Sequence, residues 1–128
     1  DAAFAAGTVV EEEFSFGRHT GVTLEPRAIL ASYEPAERRL TVHHSCQAPH
    51  MMQNIFATHL GLEEHDVRVI CGDVGGSYGI KVHAYADEMA TAALSVMLAR
   101  PVKFIADRLE SFLTDIHARD HRVKGRMA

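Results

Sequence analysis

Ten consecutive residues, Gly72-Asp73-Val74-Gly75-Gly76-Ser77-Tyr78-Gly79-Ile80-Lys81, hold the densest chemical signal in the chain. Four glycines within eight positions are incompatible with a regular element. The β-branched run Val67–Ile70 precedes them and a helical pattern follows. Strand, glycine turn and helix in that order bring backbone N–H groups up to an anionic ligand. The same glycines would equally serve a tight structural turn, and the residues alone leave both readings open. Named phosphate motifs fail here. Ile80 separates Gly79 from Lys81, which breaks a Walker A loop, and Gly75-Gly76-Ser77-Tyr78-Gly79 does not supply G-x-G-x-x-G. Tyr78 would project from the loop, either to wall a pocket or to cap the core. Gln47 sits where a strand gives way to a helix. Its amide could donate to an oxo or carbonyl group above that helix, or cap the helix locally.

Other candidates are weaker. The chain has nine histidines, so a metal site has to be weighed. His43 and His44 are neighbours on an expected strand and point to opposite faces, while His117 and His121 share i, i+4 spacing across a segment that breaks at Asp120. Hydrogen-bonded and surface histidines are the expectation. Ser45 and Cys46 lie near histidines but lack the setting of a nucleophile. Cys46 and Cys71 are the only cysteines, too few for a zinc knuckle or a disulfide framework, and read as reduced thiols in a cytoplasmic protein.

The elements that must position these residues follow from periodicity. Alternation over residues 8–16 puts Val10, Glu12, Phe14 and Phe16 on one face of a strand. Residues 28–33 and 39–45 form a hairpin about a turn at Glu34-Pro35-Ala36-Glu37, with Pro35 at the second turn position. From Pro49 the period changes: Met52, Ile55, Phe56 and Leu60 lie on one helical stripe, ended by Gly61. A strand is expected at 67–70 and a helix at 85–99, with Met89, Ala92, Ala93, Val96 and Met97 as its buried stripe and Arg100-Pro101 as its end. Residues 102–106 read as a strand, 109–116 as a short helix or ordered turn, and 121–127 as a strand with Arg122, Lys124 and Arg126 on one face. That basic face is either a solvated edge or a surface for another part of a larger subunit. The order predicts an α+β fold, a mixed β-sheet with two main helices packed on one face, and residues 1–128 as a single domain.

Composition narrows the function classes. Of 128 residues, 13 are Lys or Arg and 17 Asp or Glu, for a formal charge of −4, and 47% are hydrophobic. These proportions suit a globular domain able to bury a core without staples. With no basic cluster beyond Arg38-Arg39, a nucleic-acid partner is not expected. No apolar run approaches a membrane span, and no signal-peptide pattern is present, so no membrane partner is expected either. The opening Asp1-Ala2-Ala3-Phe4-Ala5-Ala6 contains no initiator Met, which suggests processing or excision from a longer chain.

Taken in order, Leu24-Glu25-Pro26-Arg27, Gln47-Ala48-Pro49-His50, Leu60-Gly61-Leu62 with Val67-Arg68-Val69, Gly75-Gly76-Ser77-Tyr78-Gly79-Ile80-Lys81, and Arg100-Pro101-Val102-Lys103 with Arg108-Leu109-Glu110 resemble the molybdenum hydroxylases. These are the molybdopterin-binding large subunits of the xanthine dehydrogenase, aldehyde oxidase and carbon monoxide dehydrogenase family. Each motif is weak alone, but the series is colinear over nearly the whole chain.

The resemblance implies a molybdenum–pterin cofactor, in bacteria often the cytosine dinucleotide form, whose metal is held by the pterin dithiolene rather than by the protein. It implies oxidation of an aldehyde, an N-heterocycle or carbon monoxide with water-derived oxygen. Electrons would leave through iron–sulfur clusters and FAD on partner subunits or domains. By that resemblance Gln47 hydrogen-bonds an oxo ligand, and Gly75, Gly76, Ser77, Tyr78 and Gly79 approach the cofactor, with Tyr78 where Phe is commoner. Ser77 replaces the usual third glycine, a substitution expected to restrict positive φ. Val82 follows Lys81 where purine-oxidising relatives carry Glu, which disfavours a purine. The family's general-base Glu lies far C-terminal to this segment, so no catalytic residue is assigned here and the segment alone is expected to be inactive. The competing expectation is a stand-alone ligand-binding or interaction module using the glycine loop for another anion. If the segment is isolated from its subunit, residues 75–81 are expected to be exposed and mobile.

Overall fold

A computed structural model describes residues 2–128, which form two compact units. The larger, residues 21–115, is built on a four-stranded sheet. The hairpin expected from Pro35 is present: β2 (Ala28–Glu34) pairs antiparallel with β3 (Arg39–His44), in register Ala31 to Val42 and Tyr33 to Leu40. Arg38 takes φ +52° and its N–H bonds the Pro35 carbonyl at 3.3 Å, closing the turn. Helix α2 (Pro49–Leu60) crosses over from β3 to β4 (Val67–Ile70), which therefore lies parallel to β3. Strand β5 (Val102–Ile105) adds antiparallel to the other edge of β2, so the order is β4-β3-β2-β5.

Alternation decides which face is buried. Ile29, Ala31, Leu40, Val42 and Val67 point to one face and meet Met52, Phe56 and Ala57 of α2 and Ala92 of α3 (Ala86–Leu98). Leu30, His43 and Ile105 point the other way and are exposed. The mixed α+β sheet with two main helices on one face is thus as expected. Helix α2 begins with Pro49 in its first turn and ends at Gly61, which has φ +67° and bonds the Ala57 carbonyl. The short α4 (Arg108–Thr114) carries a reciprocal capping box, Asp107 accepting from the Glu110 N–H at 2.7 Å and Glu110 from the Asp107 N–H at 2.8 Å.

One expectation holds only in part, at Ala92, with Met89 and Val96 packed at the edge of the core. The buried stripe of α3 is Glu88, Thr91, Ala92 and Ser95, whereas Met97 is 78% exposed and Met89, Ala93 and Val96 are only partly covered. The helix is rotated because its inner face meets polar groups. Ser95 Oγ accepts from the Tyr33 N–H at 3.0 Å and donates to the Arg100 carbonyl at 2.8 Å, and Glu88 reaches Arg27.

Arg27 is the centre of that polar interior. Its side chain is fully buried, with Nε donating to Asp115 at 2.7 Å, both terminal nitrogens to Asp87 at 2.7 Å, Nη1 to Glu88 at 3.1 Å and Nη2 to Thr114 at 2.9 Å. The guanidinium also stacks 3.8 Å over the Tyr85 ring. Burial alone would lower its pKa, but the hydrogen bonds it donates to Asp87, Asp115 and Glu88 outweigh that and push it up. His43 and His44 do point to opposite faces. His43 is exposed, and buried His44 has Nε2 3.2 Å from Glu88 Oε2.

The smaller unit contains a short helix, α1 (Ala2–Ala6), and a two-stranded antiparallel ribbon of β1 (Val10–Phe16) and β6 (His121–Met127). These strands form their own sheet rather than extending the larger one. Its two faces differ. Val10 opposes Met127 and Phe14 opposes Val123, while Glu11 opposes Arg126 and Glu13 opposes Lys124. The basic face of β6 is thus matched by β1, with Lys124 and Arg126 both paired to Glu11. Among the described residues no helix is long and apolar enough to cross a membrane.

Candidate functional site

The chain leaves β4 at Ile70 and runs irregularly until Ile80–Val82, a single 3-10 turn. Glycine is required at two loop positions for different reasons. A Cβ on Gly75 would lie 2.6 Å from the Glu25 Cβ, so close approach excludes any side chain. Gly79 has open space around it but takes φ +87°, the left-handed conformation L residues avoid. Ser77 does not occupy that region; Gly76, Tyr78 and Gly79 do. The serine therefore restricts nothing, and the conformational cost of the loop falls on Tyr78 at φ +49°.

Tyr78 is 77% exposed, which decides against a role in capping the core. Gly75 and Gly79 are exposed with it, Gly76 and Ser77 partly so. Ile80 and Lys81 are buried, contrary to the expectation that the whole stretch 75–81 would be exposed. The reason is that the loop closes onto the domain through its last residues.

That closure brings Gln47 in. Its backbone N–H donates to the Lys81 carbonyl at 3.1 Å, setting the strand-to-helix junction beside the end of the loop. The Gln47 side chain is exposed, and it does not cap α2, whose N-cap residue, Ala48, makes no side-chain bond either. Along the loop, the Gly75 N–H is taken by Glu25 and the Gly76 N–H by the Val74 carbonyl. The N–H groups of Ser77, Tyr78 and Gly79 have no acceptor among the described residues. Three successive backbone donors and a primary amide are thus unused within the domain. Such a donor set suits an oxygen-rich anion and offers no metal ligand of its own.

Sequence reasoning missed what holds these donors. The Glu25 carboxylate receives Ser45 Oγ at 2.7 Å, the Gly75 N–H at 2.9 Å and Lys81 Nζ at 2.6 Å, all at Oε2. Lys81 Nζ also donates to Ser45 Oγ at 2.9 Å, and the Glu25 N–H bonds the Gly75 carbonyl at 3.2 Å. The Lys81 side chain is fully buried and that of Glu25 is 37% exposed. Burial works to raise the Glu25 pKa, but bonds from Lys81, Ser45 and Gly75 prevail and hold it below its ordinary value. Glu25 and Lys81 both fall in the colinear motifs, yet 56 residues separate them and no local pattern links them. Nearby, Cys46 is buried and its thiol is pushed up to about 11, chiefly by burial, which makes it a poor nucleophile. Cys71 is partly buried and donates to the Cys46 carbonyl at 2.8 Å; both cysteines are free.

A family model of the molybdopterin cofactor-binding domain matches residues 1–128. The chain belongs to that family, as part of a molybdenum hydroxylase large subunit, and so to a lineage of oxidoreductases. It is 34% identical to the carbon monoxide dehydrogenase large chain of Hydrogenophaga pseudoflava, across 100% of this chain and 16% of that protein. To the nicotine 6-hydroxylase large subunit of Paenarthrobacter nicotinovorans it is 37% identical, over 96% of this chain and 15% of that one. The structure of quinoline 2-oxidoreductase from Pseudomonas putida 86 superposes with a TM-score of 0.91 at 34% identity, covering 99% of this chain and 16% of that one. The chain thus spans about one sixth of the length of these relatives.

Proposed function

We propose that this chain forms one wall of a molybdenum–pterin site, with Gln47 and the loop of Gly75, Gly76, Ser77, Tyr78 and Gly79 facing the cofactor. The observation that carries this reading is the Gln47 N–H to Lys81 carbonyl bond at 3.1 Å, which sets an unpartnered side-chain amide beside a loop with three unused N–H donors. The residues fit an oxygen-rich ligand without supplying a metal ligand, as a dithiolene-held metal requires. When bound, the cofactor would supply the redox centre at which water-derived oxygen enters the substrate, with electrons passing to iron–sulfur and FAD partners. The chain's own residues would bind and orient: Gln47 and the loop N–H groups would donate hydrogen bonds to oxygens of the bound group, and exposed Tyr78 would stand beside it.

Substrate class is narrowed by both sequence and kinship. Val82 lacks the carboxylate expected of a purine reader, while the names of the relatives point to carbon monoxide and to N-heterocycles such as nicotine and quinoline. An N-heterocycle, an aldehyde or carbon monoxide is the substrate class we assign. The general base belongs to a segment outside these residues, so the segment expressed alone is expected to be inactive. Two unpaired cysteines suit a reducing cytoplasm.

The test is metal analysis of the complete protein that carries this segment, with oxidase assays on aldehydes, purines, N-heterocycles and carbon monoxide. Molybdenum in the wild type, with turnover reduced about 100-fold in Gln47→Ala, is the expected result; this corresponds to about 3 kcal/mol for one lost donor at a developing charge. Absence of molybdenum, or full activity in the variant, would overturn the proposal.

A further inference from the structure

We propose that Glu25, with Ser45 and Lys81, is a positioning clamp that fixes the two halves of the cofactor wall against each other. Its purpose rests on the cofactor reading above, but its existence does not.

The argument is geometric. Glu25 Oε2 receives donors from three separate stretches of chain: Ser45, two residues before Gln47; Gly75, where the glycine loop begins; and Lys81, where the loop has closed. Lys81 Nζ to Ser45 Oγ at 2.9 Å completes a triangle, and the Lys81 carbonyl holds the Gln47 N–H. Gly75 is pinned twice, by its N–H to the Glu25 carboxylate and by its carbonyl to the Glu25 N–H. Lys81 and Cys71 add further ties to the Gln47 side, and Glu25 is the residue on which Ser45 and both ends of the loop converge at one oxygen. Without Glu25, the buried Lys81 ammonium has only a serine hydroxyl, and the start of the loop loses an anchor.

The arrangement also explains why the loop can expose its donors. A glycine-rich stretch orders only at a conformational cost. Here bonds at residues 75 and 81 oppose that cost from the ends, which leaves the N–H groups of Ser77, Tyr78 and Gly79 unspent. Charge-assisted bonds are the stronger class, and a carboxylate receiving three donors is ionised across the neutral range. The clamp is therefore constitutive rather than a switch.

The decisive variant is the double change Glu25→Leu with Lys81→Met, made in the complete protein. Replacing both ions together leaves no buried charge unpaired, so the melting temperature should remain within about 3 °C of wild type. Amide exchange at the hydrogen-bonded residues 45–47, 75 and 76, measured on cofactor-free protein, should nevertheless speed by at least 10-fold. Molybdenum content after expression with ample molybdate should fall by more than half. Glu25→Gln alone is the companion, expected to speed loop exchange and also to lower the melting temperature, since it removes the charge facing Lys81. Wild-type exchange rates in the double variant would overturn the clamp. Faster exchange with unchanged molybdenum would overturn its role for the cofactor. A wild type that holds no molybdenum would overturn the reading of the previous subsection and the clamp's purpose with it, while the exchange comparison would still decide whether Glu25 holds the loop.

Discussion

Arg27 and Lys81 are both cations withdrawn completely from water, and the difference between their surroundings separates what holds this fold from what shapes its site. Around Arg27 the cation is the hub. Asp87, Glu88, Asp115 and Thr114 converge on it from α3 and the end of α4, and every partner is a side chain. Around Lys81 the carboxylate is the hub, and its partners include a backbone N–H of an irregular loop. The first cluster ties regular elements to each other. The second ties a loop to the regular elements. Tyr85 connects them, its ring under Arg27 and its hydroxyl donating to the Ile80 carbonyl at 2.8 Å, one residue before Lys81. The comparison shows that a buried ion pair organises whatever bonds to its hub: tertiary packing where those partners are side chains, backbone presentation where one of them is a loop N–H.

The difference can be broken most forcefully at Arg27. Arg27→Met leaves Asp87, Glu88 and Asp115 facing each other without a cation, and should cost about 3–5 kcal/mol of stability, read as a lowered melting temperature of the purified protein. Acid should act next, and on both clusters. Burial raises the Asp87 carboxyl while the bonds from Arg27 lower it, with the net shift downward, and Glu25 is likewise held low. A carboxylate with a depressed folded pKa contributes stability that is complete above the unfolded value and disappears as pH falls through the folded one. Stability should therefore be level above about pH 5 and decline below about pH 4. A melting curve unchanged down to pH 3 would contradict this. Lys81→Met should have the smallest effect, about 1–2 kcal/mol, because the Glu25 it abandons is partly exposed and can rehydrate. Loop exchange should change more than stability in that variant, and the reverse in Arg27→Met.

Much of the fold was legible because its signals are local. Pro35 announced the hairpin, Pro49 and Gly61 bounded α2, and alternation or β-branched runs placed the strands to within two residues at each end. In the candidate site, Gln47 and the glycine loop were legible because a lone amide at a strand-to-helix junction and a cluster of glycines are unusual in any context. The buried face of α3 was misread because apolar periodicity favours Met97, whereas the interior there is polar and selects Glu88, Thr91 and Ser95. Glu25 is legible only within the motif Leu24-Glu25-Pro26-Arg27, with no role of its own, because a glutamate before a proline looks like ordinary surface.

By itself the sequence determined the order of the six strands and of the helices from α2 onward, since these depend on residue type and spacing along the chain, and its colinear motifs carried the resemblance to the family. Tertiary structure alone decided that β1 and β6 make a separate ribbon, that Tyr78 rather than Ser77 carries the left-handed backbone, and that Arg27 and Glu25 are hubs. Those outcomes depend on which distant groups meet in a low-dielectric interior. Glu25 and Lys81 are 56 residues apart in the chain and 2.6 Å apart in the fold, a distance no periodicity encodes.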